Sequence, residues 1–69
     1  MFDFTVCAKR NTWLLQEDQA GELGAYPTRG EALAAAGEWM RLIEQPWPVL
    51  VCDADGEWHE TIVQPPAVH

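Results

Sequence analysis

Residues 49–63 read VLVCDADGEWHETIV, two apolar runs joined through Asp-Ala-Asp-Gly. Whether that acidic knot is a metal loop, a catalytic cluster or a turn decides how the C-terminal part of the chain folds. A calcium loop of the helix-loop-helix kind needs three acidic or amide ligands at alternating positions and a closing Glu at its twelfth. Here the third ligand is missing, Glu60 comes too early, and the flanking residues read as strands. Asp-Gly between apolar runs is instead a hairpin signature, because both residues tolerate positive φ. The expectation is a two-residue turn at Asp55-Gly56, which would set Cys52 opposite His59 on one sheet face.

Upstream, Pro46-Trp47-Pro48 forms a stiff extended connector, and before it lies the clearest helix. Thr28-Arg29-Gly30-Glu31 has the spacing of a capping box, in which the Thr hydroxyl accepts from the N–H three residues on. Alanines at 32, 34, 35 and 36 favour the helix. Pro46 disfavours helical geometry at Gln45, so the helix should end near Glu44 or Gln45. Ala32, Leu33, Ala36, Trp39, Met40 and Ile43 share one arc of the helical wheel.

Three strands precede the helix. Phe2 to Ala8 alternates apolar and polar residues, the period of a strand with one buried face. Trp13 to Glu17 and Leu23 to Tyr26 follow, separated by the turn-like stretches Lys9 to Thr12 and Asp18 to Gly21. The predicted fold is α+β, in the order β-β-β-α-β-β: an antiparallel sheet of about five strands with one helix on one face. It forms a single domain over residues 1–64, with a loose tail over 65–69.

The chain has 69 residues, of which 48% are hydrophobic and four are Trp. A domain this small buries only about 60% of its unfolded surface, so a staple or a partner is common at this size. With 4 Lys+Arg against 11 Asp+Glu, the net charge is −7. Direct binding to nucleic acid or an anionic membrane is therefore disfavoured, since both need clustered cations. No run approaches the ~20 apolar residues of a membrane helix. MFDFTVCAKR lacks a basic segment followed by an apolar core, so no signal peptide is expected. Cys7 and Cys52, far apart in sequence, suit reduced thiols in a cytoplasm.

Both sheet faces carry apolar residues. If Phe4, Val6, Leu15, Val49, Val51 and Ile62 face the helix, then Cys7, Leu14, Leu50 and Cys52 face away. One helix cannot cover both sides, and a solvated outer face is normally polar. On the helix edge, Trp39 and Leu42, joined by Trp47, form a patch of the aromatic type enriched at interface hot spots. The leading expectation is a small acidic protein-interaction module, in which Trp39, Leu42, Trp47, Leu14 and Leu50 bind a protein partner or a second copy. Its acidic field would steer it toward basic partners. The alternative is a zinc- or thiol-dependent domain in which Cys7, Cys52 and His59 converge, with His69 or water as fourth ligand. Catalysis is not expected: a strand-borne Cys52 lacks the helix N-terminus that commonly activates a thiol.

The order of Trp13-Leu14-Leu15, Thr28-x-x-Glu31-Ala32 through Ala36, Val49-Leu50-Val51 and Asp53-Ala54-Asp55-Gly56 resembles a family of short bacterial and phage proteins known as a domain of unknown function. The likeness would span nearly the whole chain. The chain departs from that family in its acidity and in its Pro-Trp-Pro connector. The resemblance implies the α+β fold and a bacterial or phage origin, and carries no activity or site residue with it.

Overall fold

Local signals place the elements, and long-range pairing then arranges them. The structure is a computed structural model describing residues 3–65; Phe2 and most of the expected tail, His69 included, lie outside the described residues. The elements are β1 (Phe4–Lys9), β2 (Thr12–Glu17), β3 (Gly21–Tyr26), α1 (Arg29–Ile43), β4 (Trp47–Cys52) and β5 (Trp58–Val63). Thr28 is extended, and its hydroxyl accepts from the Glu31 N–H at 3.1 Å. At the other end Glu44 takes the left-handed conformation (φ 64°) and donates its N–H to the Met40 carbonyl at 2.7 Å. That closure, just ahead of Pro46, stops the helix and frees the chain to extend.

The β1–β2 link is a tight turn at Arg10-Asn11, with Asn11 at φ 55°. The β2–β3 link is organised by a buried acid. Glu17 is only 7% exposed, and its carboxylate accepts from the backbone N–H groups of Gln19 and Ala20. Accepting two N–H donors offsets the desolvation of that carboxylate and fixes the turn.

The five strands form one sheet in the order β3-β2-β1-β4-β5. It is mixed and not wholly antiparallel as expected: β4 runs parallel to β1, while the other neighbours are antiparallel. The reason is directional. Two tight turns make β3 run the same way as β1. A helix that reverses across the sheet returns the chain to its starting end, so β4 must run the same way again. It docks beside the central β1 and leaves β3 as the far edge.

The core lies between one sheet face and α1. Phe4, Val6, Leu15, Val49 and Val51 meet Ala32, Ala36 and Met40, each at most 3% exposed. The small alanines let the helix axis approach the sheet closely. Trp13, Leu23, Tyr26, Leu33, Ile43, Trp47 and Val63 pack around this centre.

The last hairpin differs from expectation by one residue. The Gly56 N–H donates to the Asp53 carbonyl at 2.9 Å, and the Asp53 N–H donates to the Glu57 carbonyl at 2.8 Å. The loop is Ala54-Asp55-Gly56, and Gly56, its third residue, at φ 87°, closes the turn that begins at Asp53. This is the longer hairpin solution, in which a left-handed glycine follows the turn and adds a bulge. Because strand side chains alternate with period two, one added residue moves all of β5 to the opposite face. Cys52 therefore stands opposite Trp58, and His59 stands opposite Val51.

Candidate functional site

The register turns the outer sheet face into a row of apolar side chains. Ala25, Leu14, Cys7, Cys52 and Trp58 are successive Cα partners across β3, β2, β1, β4 and β5. The next row carries Gln16, Thr5, Leu50 and Glu60, and beyond it Ile62 stands opposite Pro48. Leu50, Trp58 and Ile62 are 46%, 57% and 56% exposed. Leu14, Cys7 and Cys52 are half-buried by their neighbours in the row. Among the described residues nothing covers this face, because α1 lies on the other side.

Leu14 and Leu50 were expected here. Trp58 and Ile62 are the additions, and Ile62 corrects the expectation that it faces the helix. The signal that could have found them is the turn: Asp53-Ala54-Asp55-Gly56 also fits the longer loop, with Gly56 in the left-handed position.

The helix-edge residues lie on the opposite side of the molecule from Leu14 and Leu50. Trp39 is 39% exposed and tilts against Phe4, with ring centroids 6.5 Å apart. Leu42 is 77% exposed, and Trp47 packs against the core. An ion pair between Arg41 Nε and Glu38 Oε2 (3.1 Å) borders Trp39 and Leu42 in a shallow recess. Two separate apolar surfaces result.

The expected convergence of Cys7, Cys52 and His59 separates into two pairs. Cys7 and Cys52 are register partners on the outer face. Burial, and next the neighbouring Cys52, push the Cys7 thiol up, with Lys9 opposing. His59 lies on the helix side, opposite buried Val51. There its Nε2 stands 2.7 Å from Asp53 Oδ2 and 3.6 Å from Glu57 Oε2. Arg29 Nη1 approaches Asp53 Oδ1 at 3.7 Å. A ligand atom from each of Asp53, Glu57 and His59 lies within 4.8 Å of the others. This is the arrangement a divalent ion would use, but Arg29 already supplies a positive charge to the same carboxylate. Asp53 was legible as part of the acidic knot; its role as the hub of this end was not.

Together these features define a class: a small α+β domain with a five-stranded mixed sheet, one face packed under a single helix and the other, uncovered among the described residues, carrying a row of apolar side chains. No family model, no curated protein and no solved structure matches this chain. No helix among the described residues is long and apolar enough to cross a membrane.

Proposed function

We propose that this protein is an interaction module that docks a partner protein on its outer sheet face. The observation that supports this reading is the cluster of Leu50, Trp58 and Ile62, each about half exposed on one side of adjacent strands β4 and β5. Contiguous apolar surface of this kind on a small domain marks a binding site more often than scattered single residues do. The net charge of −7 favours a partner whose own apolar patch is rimmed by Lys or Arg. The same charge opposes pairing with a second copy, which would double it. Glu22 and Glu60 border the face and supply the local negative charge.

Size sets the character of the complex. Five strands of six residues make a face of roughly 480 Å² at about 4.8 Å spacing and 3.3 Å rise. A standard stable interface buries about 800 Å² on each partner. The contact is accordingly of the transient kind, with Trp58 as its anchor. A cytoplasmic setting and a bacterial or phage source belong to the same proposal, the second on the family resemblance.

The test is capture from source-cell lysate with nuclease present, comparing wild type with Trp58→Glu, Leu50→Glu and Leu42→Glu. A single protein held by wild type and Leu42→Glu, but lost from the two sheet-face variants, is the expected result. Retention by all four chains would sink the sheet-face reading. Retention of only the bait's own sequence, with a doubled mass in light scattering, would replace the partner by a second copy.

A further inference from the structure

Cys7 and Cys52, 45 positions apart in the chain, are brought to directly paired positions on the parallel strands β1 and β4. Both are free and half-buried, and both point to the outer face. Paired residues on neighbouring strands lie about 4.7–4.9 Å apart, inside the roughly 4.4–6.8 Å range of Cα separations that a disulfide spans. The register alone sets the two thiols side by side on one face, and Cys52 Sγ donates to the Asp53 carbonyl at 3.8 Å. Their neighbours in the same row are Leu14 and Trp58, which offer no competing ligand or charge. Two thiols side by side on a surface open to small molecules, with no third ligand beside them among the described residues, have the arrangement of a dithiol.

We propose that Cys7 and Cys52 are a dithiol that reduces small-molecule disulfides and closes into a cross-strand disulfide on the outer face. In the first step one cysteine thiolate attacks a sulfur of the small disulfide RSSR. A protein–SR bond forms, the S–S bond breaks, and RS⁻ leaves and takes a proton. In the second step the other cysteine, after losing its proton, attacks the protein sulfur of that mixed disulfide. The Cys7–Cys52 bond forms and the second RS⁻ leaves. The protein gives up two electrons and two protons, and RSSR becomes two RSH. Burial makes the Cys7 thiol hold its proton more tightly, so exchange is slow at neutral pH and speeds up as pH rises. The closed bond ties β1 to β4 and encloses β2, β3 and α1 in one covalent loop, which restricts the unfolded chain. Nothing in this depends on a partner docking to the face.

The experiment is incubation of the whole chain with oxidised glutathione at mildly alkaline pH, read by intact mass and by thiol count. The expected product is a monomer about 2 Da lighter with both thiols lost, formed faster at higher pH. Its melting temperature should rise by about 5–15 °C and return on reduction. Cys7→Ser and Cys52→Ser should each stop at the glutathione adduct, because the second attack has no nucleophile. The wild-type mass decides the matter even if a variant folds poorly. A wild-type protein that keeps both thiols, accumulates stable glutathione adducts, or links into covalent dimers would overturn the proposal.

Discussion

His59 Nε2 stands 2.7 Å from Asp53 Oδ2, and the other oxygen of that carboxylate faces Arg29 Nη1 at 3.7 Å. One side chain, 26% exposed, thereby ties the first residue of α1 to the turn of the last hairpin and to β5. Exposed pairs of this kind contribute about 0.2–1 kcal/mol each. Asp53→Ala is therefore expected to cost about 1 kcal/mol in urea unfolding, and His59→Ala less. The double variant should show a coupling of about 0.5 kcal/mol. Strict additivity would mean that the pair contributes nothing to stability.

Gly56 carries the residue that sets the register of β5. At φ 87° an alanine is strained whatever the space around it, so Gly56→Ala should destabilise by about 1 kcal/mol or more. Gly30 gives the opposite sign. It sits in the first turn of α1, where an added Cβ would meet only Thr28 Oγ1 at 4.0 Å, and Gly30→Ala should stabilise by a few tenths up to about 1 kcal/mol. Thermal melts of the two variants, one below and one above wild type, check both statements. A Gly56→Ala protein as stable as wild type would show that the turn does not need its left-handed residue.

What could be read in the sequence follows from the range of each signal. Thr28 and Glu31 act within one turn, and Pro46 acts on its own neighbour, so both ends of α1 were predictable from residues alone. The five strands followed likewise from alternation and turns. The pairing of β1 with β4 did not, because no local feature says beside which strand a returning chain will dock. The side of β5 was lost for a subtler reason. Asp55-Gly56 is compatible with either hairpin length, and the choice between them inverts every side chain from Trp58 to Val63. That single ambiguity sent Ile62 inward and joined His59 to the cysteines in the sequence reading. It also hid Trp58 from the candidate surface.

The Cys7 thiol is pushed up, first by burial and then by Cys52. A group that holds its proton more tightly when folded favours the native state as long as the thiol is protonated. That contribution is whole below the unfolded cysteine value of about 8.5, and it is lost as pH rises through the higher folded value. Unfolding free energy measured in reducing buffer should therefore fall on the alkaline side, beginning above about pH 8.5. Cys7→Ser, which does not titrate there, should flatten the slope. An unchanged slope in that variant would assign the alkaline loss to other groups.

Two leucines on adjacent rows separate the fold from its surface. Leu15 is fully buried under α1, and truncating such a side chain costs about 2–5 kcal/mol. A domain of 69 residues has roughly 3–10 kcal/mol in total, so Leu15→Ala should lose a large share of its stability and melt well below wild type. Leu50 is 46% exposed on the outer face, and Leu50→Ala should stay within about 1 kcal/mol of wild type. Urea titration of the two proteins at several concentrations gives the comparison. If Leu50→Ala proves as damaging as Leu15→Ala, and its midpoint depends on protein concentration, the outer face is buried in solution against a second copy. A small, concentration-independent effect leaves that face open for a different protein.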